Sequence, residues 1–270
     1  MRISDDNFPF RSVQIKVLPP YFYVLDGTVP IIFKGRTSDW KAYPLQKGYS
    51  YFSKAEPINS NTILFRAQQQ KTGENILGVF KLGDTVLTSY APTLLEKQID
   101  GFFDTDGTLQ YSNQLKKMVY VYRYRNQFIV TNDALQLNYR GNTIDTTKKA
   151  HLKIMYNNKS GDRKLGGTPY IVNASTALDG NLLFVNSALR GKYESETMWK
   201  EAAVVDVYDI SQNSYQTSFY IYNIGNEKMK TFMVTGNNLY VIIGQNLHKY
   251  HLGKAIINSS TTIRTKEADK

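Results

Sequence analysis

Carboxylates hold most of the chemical potential of this sequence. Its 270 residues include 23 Asp and Glu, three His and no Cys. Without cysteine there is no disulfide, no thiolate metal site and no thiol nucleophile. Glu194, Glu196 and Glu201 fall in a charged stretch with Arg190 and Trp199. Two carboxyls flanking a sugar can act as acid and base in glycoside hydrolysis, at separations of about 5 to 9.5 Å. Glu194 and Asp206 are the pair that such an enzyme would use. A stretch of this make-up reads more simply as a solvated connection. The histidines offer less. His248 and His251 stand three apart in an expected strand, so they leave opposite faces and cannot chelate one metal; His151 is isolated. Asp104 and Asp106 open a calcium-loop pattern, Asp-x-Asp-Gly, but its remaining ligands and closing Glu are missing. A plain hairpin turn is the simpler reading. No Gly-x-Ser-x-Gly elbow and no glycine-rich phosphate loop occurs. The residues supply no catalytic set, no metal site and no cofactor site.

The formal net charge is +10 and the isoelectric point is near 9.4. This is an ordinary basic surface or the footprint of an anionic polymer. Met118 to Arg125 reads MVYVYRYR. On one strand Tyr120, Tyr122 and Tyr124 share a face, and Arg123 and Arg125 take the other. A base-stacking platform needs aromatics and cations on one exposed face, so core tyrosines backed by solvated arginines are expected, and nucleic acid is a poor partner. Asn158-Lys159-Ser160 and Asn173-Ala174-Ser175 match the glycosylation sequon, a pattern frequent by chance.

The elements that must hold these groups are strands. In Val204 to Tyr208, residues 204, 206 and 208 share one face and 205 and 207 the other. Tyr215, Thr217, Phe219 and Ile221 repeat the alternation, as do Phe232 with Val234 and Leu239 with Val241 and Ile243. Period two of β-branched and aromatic residues is the mark of a pleated strand. Gly236-Asn237-Asn238 suits a tight hairpin. Runs of this kind fill the chain, from Ser12–Leu18 onward. Leu94–Gln98 reads as a short helical turn, and Ala255–Ser259 extends the last strand unit. A turn followed by a strand recurs before VPIIF, TILF, TLQY, LLFV and LYVII, at uneven gaps of 33, 46, 74 and 57 residues that bracket the period of a propeller blade. A jelly roll or a stacked pair of sandwiches is the rival architecture.

No apolar run approaches the roughly 20 residues of a spanning helix. The opening MRISDDNFPFRSVQIKV has no charged-then-apolar leader and enters a strand almost at once, which reads as a start inside a longer product. Absence of cysteine fits the cytoplasm and an export route alike.

GNLLFVNSALRGKYE, MWKEAAVVDVYDI, SYQTSFYIYNI and NNLYVIIGQNLHKYHL resemble the last blades of bacterial six-bladed-β-propeller-like proteins, and DGTVPIIFKGRTSDW resembles an early blade. Members of that group are exported, often lipoprotein-type, and of uncharacterised activity. The resemblance implies a propeller and a periplasmic or outer-membrane-associated setting; the chain by itself leaves the compartment open.

The reading is therefore all-β: a β-propeller of four-stranded antiparallel blades, about five to six in number and incomplete at the N-terminus in the longer count. Residues 1–260 form one domain and 261–270 a polar tail. The expected role is non-enzymatic binding or scaffolding in the bacterial cell envelope, toward a protein or glycan at the loop face. The alternatives are a carbohydrate-active enzyme or lectin-like glycan binder, and a basic surface for an anionic polymer. The insertions Asn157–Gly167 and Leu189–Lys200 are the expected partner surface. Trp40, Arg66, Arg190 and Trp199 are the expected anchors, because Trp and Arg dominate recognition hot spots.

Overall fold

A computed structural model describes residues 1–4, 7–45, 48–157 and 161–261. Its contacts group the chain into two compact units, Met1–Thr105 with Thr131–Asn138, and Asp106–Val130 with Tyr139–Lys270. The fold class is all-β: a β-propeller of antiparallel blades, five in number.

In the first unit, β1 (Arg2–Ile3), β2 (Val13–Leu18), β3 (Tyr21–Asp26), β4 (Ile31–Arg36) and β5 (Lys41–Pro44) form one sheet in the order β1-β5-β4-β3-β2. β1 joins it parallel to β5. The second sheet runs β6 (Lys54–Asn59), β7 (Thr62–Gln68), β8 (Asn75–Leu82) and β9 (Val86–Ala91) in chain order. Tyr23, Leu25 and Ile32 of one sheet meet Ile63, Phe65 and Phe80 of the other in a shared core. Phe65 and Phe80 stack at 3.9 Å. Lys16 and Glu56 pair at 2.5 Å across the same two sheets.

The second unit holds most of the third sheet, β10 (Gly107–Ser112), β11 (Lys117–Tyr122), β12 (Gln127–Asn132) and β13 (Leu137–Asn142). A two-stranded ribbon follows, β14 (Ile154–Tyr156) with β15 (Arg163–Leu165). The fourth sheet is β16 (Asn173–Asp179), β17 (Leu182–Ser187), β18 (Ala202–Asp209) and β19 (Ser214–Tyr222), with the helix α1 (Glu196–Glu201) inserted before β18. The fifth is β20 (Met229–Thr235), β21 (Asn238–Ile243) and β22 (Asn246–His251), followed by the helix α2 (Lys254–Thr261). Val205 and Val207 of β18 enter a core with Val234, Val241 and Ile256; Tyr208 and Ile210 enter another with Val121 and Phe128. β18 is thus buried on both faces, which fits its near-continuous apolar run.

A phenylalanine lies over a glycine of the adjacent strand in three sheets. A Cβ at Gly35, Gly78 or Gly141 would meet the ring of Phe22, Phe65 or Phe128 at 2.4, 2.4 and 2.2 Å. Phe22 pairs directly with Gly35, and Phe65 with Gly78. Only glycine leaves room for the ring to fold flat across the pleat.

Several expectations change. Leu94–Gln98 is not helical. Ala255–Ser259 is part of α2, not a strand, so the fifth sheet has three strands. A helix delivers Ile256 into the core although Ile256 and Ile257 are β-branched, so packing outweighs propensity. α1 was hidden in a charged stretch. The expected polar tail begins at 261; Thr261 instead closes α2, and 262–270 lie outside the described residues. The sequon at 158–160 lies outside them too.

The Tyr-Arg run is also corrected. Tyr120 and Tyr122 are fully buried, with their rings edge-on at 5.5 Å, but so are Val119 and Val121 on the opposite face. Arg125 is not solvated: it is 1% exposed, lies 3.6 Å from the centre of the Tyr122 ring and donates from Nε to Gln127 at 3.2 Å. Arg123 is half-buried and donates to the Ala174 carbonyl at 3.1 Å. β11 ends at Tyr122, so the strict alternation that put both arginines outside stops before reaching them.

Candidate functional site

Within the second unit a cleft of about 670 Å³ opens against the fourth sheet. One wall is the segment after β13. Asp145 and Thr147 stand there, and Asn126 fastens them: its N–H donates to the Thr147 carbonyl at 2.8 Å and its side-chain amide to the Asp145 carbonyl. Thr147 N–H in turn donates to Asp145 Oδ1 at 2.6 Å, and Ile144 N–H to the Tyr208 hydroxyl at 3.0 Å. A turn and two hydrogen-bonded side chains thus fix a loop that would otherwise fray.

The opposite wall is Leu189–Ser195. Glu194 closes a turn on Gly191, whose N–H donates to Glu194 Oε2 at 2.9 Å. The Tyr220 hydroxyl donates to Glu194 Oε1 at 3.3 Å. Ser195 then caps α1, its side chain accepting from Met198 N–H. Asn223 holds the helix end through the Lys200 carbonyl at 2.9 Å. Tyr193 stands 92% exposed at the rim, with Lys192 Nζ 5.4 Å from its ring centre. Arg190 and Tyr170 complete the mouth.

The floor comes from β18 and β19. Their register sets Asp206 beside Ser218 and Val204 beside Tyr220. Ser218 Oγ donates to Asp206 Oδ1 at 2.5 Å. Asp206 is 3% exposed. Burial is the main cause that lifts its carboxyl above the usual value; the charges of Glu194 and Asp145 add to this, against hydrogen bonds from Ser218 and Tyr208. Glu194 and Asp206, singled out from the sequence as a carboxylate pair, therefore line one cleft; Glu196 and Glu201 lie exposed on α1 outside it. Among the described residues no three His, Asp or Glu come together as a metal site. The cleft offers carboxylates, hydroxyls, a guanidinium and tyrosine side chains.

Of the four expected anchors, Arg190 lines the cleft. Trp199 is half-buried in α1. In the first unit, Trp40 is 41% exposed in a turn at φ 54°, its ring 5.0 Å from Phe22. Arg66 is 7% exposed in β7 and donates to Ser53 Oγ at 2.9 Å. Asp145, Tyr193, Ser218 and Tyr220 were missed. Ser218 and Tyr220 had a signal, since they alternate on the strand after Asp206; Asp145 and Tyr193 had none, because loops bring them in.

Asp104 is fully buried and accepts from the N–H groups of Gln98, Asp100 and Gly101 at 2.5, 3.0 and 2.6 Å. Its oxygens bind the chain's own donors and organise a loop. His248 and His251 lie in β22, and His151 meets the Tyr170 ring at 5.9 Å. Among the described residues no helix is long and apolar enough to cross a membrane.

No protein-family model and no curated protein matches this chain. Among solved structures it is similar to Hsv2 of Kluyveromyces lactis, at 12% identity and a TM-score of 0.47, over 91% of this chain and 63% of that one. A member of the DUF4221 family from Bacteroides vulgatus matches at 15% identity and 0.49, over 86% and 75%. The β-propeller domain of the Trilobed protease from Pyrococcus furiosus matches at 10% and 0.47, over 91% and 82%. The chain spans less than two thirds of the length of the Hsv2 protein.

Proposed function

We propose that this chain is a propeller binding module, a single domain over residues 1–260, that takes a glycan in the cleft of its fourth sheet. One observation carries the reading: Asp145, Glu194 and Asp206 line a pocket with Tyr170, Tyr193 and Tyr220. Carboxylates accept two sugar hydroxyls each, and tyrosine faces cover the apolar side of a sugar ring. Arg190 is a rim contact and Trp199 supports the wall from α1. Trp40 is a separate exposed indole, and Arg66 acts through Ser53. A cell-envelope setting rests on the family resemblance and is checked by fractionating the native host.

Titration calorimetry of the full chain against a panel of oligosaccharides tests the binding. At least one neutral or acidic glycan binds, and Tyr193→Ala and Glu194→Gln each weaken it about tenfold, or about 1.4 kcal/mol. A panel without any binder, or variants that bind as well as the parent, would overturn the reading.

A second reading has its own support. Asp206 is buried with its carboxyl raised, the condition a general acid needs, and Glu194 shares its cleft. Asp206 would give its proton to the leaving oxygen as the glycosidic bond breaks, while Glu194 would take a proton from a water whose oxygen bonds to the anomeric carbon. Release of reducing sugar from a bound oligosaccharide, abolished in Asp206→Asn, would establish the enzyme; binding without turnover removes it.

A further inference from the structure

The cleft has a cationic neighbour. Beyond Thr147, which lines the cleft, the chain runs through Lys148 and Lys149 into the β14–β15 ribbon. Lys148, Lys149, Lys153, Arg163 and Lys164 lie along this segment, and Asp162 is the one acid among its described residues. The pairing sets Met155 beside Lys164 and Tyr156 beside Arg163. Alternation puts Lys153, Met155 and Lys164 on one face. Gly166 keeps that face open: a Cβ there would stand 3.0 Å from Met155 and 3.1 Å from Lys153. Lys149, Lys153 and Lys164 are exposed and form no ion pair among the described residues. Met155 and Tyr156 are 53% and 57% exposed. The ribbon is rooted at the cleft, since His151 at its base packs edge-on against Tyr170 of the cleft mouth.

We infer that the glycan is an acidic polysaccharide, longer than the cleft, with one sugar seated between Asp206 and Tyr193 and the acid groups of adjoining sugars on Lys149, Lys153 and Lys164. This rests on the glycan reading of the cleft. The cleft carboxylates repel an anion, so the seated sugar presents hydroxyls. The ribbon lysines want anions, so the charge comes from sugars further along the chain. Met155, on the face of Lys153 and Lys164, covers the apolar side of one of those sugars. A neutral glycan leaves the lysines idle, and a nucleic acid or lipid surface leaves the cleft idle.

The test is titration of the full chain with sulfated and uronate oligosaccharides, using heparin and polygalacturonate fragments of eight sugars, against neutral fragments of equal length. Single-stranded DNA and phosphatidylglycerol vesicles are run in parallel. An acidic fragment binds at least about tenfold tighter than the neutral ones, and the advantage shrinks as salt rises, because each neutralised anion releases counterions. The triple variant Lys149→Glu, Lys153→Glu, Lys164→Glu loses the advantage and keeps the parent circular dichroism spectrum and melting temperature. Tyr193→Ala weakens acidic and neutral fragments alike. Equal affinity for acidic and neutral fragments, or a triple variant that keeps the preference, overturns the acidic assignment and leaves the cleft reading standing. DNA or vesicles bound as tightly as the sugar through the same lysines also overturn it. If no sugar binds at all, both readings fall.

Discussion

Asp206 sits between opposing forces. Burial and the charges of Glu194 and Asp145 favour its neutral form, while Ser218 and Tyr208 donate to the ionised one. The net effect is a raised carboxyl, so the stability it contributes is complete below its ordinary value and is lost as pH rises through the higher folded value. Asp206→Asn should therefore gain stability over the parent as pH rises above about 4. Paired denaturant titrations at several pH values check this, and parallel curves for the two proteins would count against it. Arg125 is the second residue with a sharp consequence. A guanidinium stacked on Tyr122 in the interior is worth little as a bare charge and much as a planar filler. Arg125→Ala should cost about 3 kcal/mol or more in chemical unfolding, and Arg125→Lys should recover only part of it. Neither role was legible in the sequence. Glu194 and Asp206 could be picked out as carboxylates, but their shared cleft depends on where a turn and a strand meet in space. Arg125 misled because the turn that buries it begins one residue after the strand pattern ends.

At the level of the element, the start of β2 hangs on one side chain. Asp26 accepts from the N–H groups of Arg11 and Ser12 at 2.7 and 2.8 Å and from Thr28 N–H and hydroxyl at 2.9 and 2.6 Å. Burial works to raise its carboxyl, but these donors together prevail and hold it below the ordinary value. The stability it gives is present above that ordinary value and fades as pH falls. Asp26→Asn should cost about 1 to 2 kcal/mol at neutral pH, with the gap narrowing as pH falls below the ordinary carboxylate range in the same unfolding assay. The strands themselves could be read from alternation, because half-buried pleats sort side chains by parity. The helices could not. α1 buries none of its residues and is held by a Ser195 cap and by Asn223, and α2 owes its form to what Ile256 packs against. Asn223→Ala should loosen α1 and speed amide exchange over Glu196–Glu201 with little change at β18.

For the molecule as a whole, the repeated unit of turn and strand made the propeller and its four-stranded blades readable, while the departures at two blade edges were not. Edge strands are the least constrained part of a blade, and here one edge gained β1 and another gave way to α2. A single domain over 1–260 should unfold in one transition whose calorimetric and van't Hoff enthalpies agree; two separated transitions would divide it. The three rings laid over glycines reach further. At Gly35, Gly78 and Gly141 even a methyl group is one atom too many, and the ring sits the same number of positions upstream each time. A bulkier residue at any of these glycines fits only if its ring partner shrinks in the same step, so each couple changes jointly or not at all.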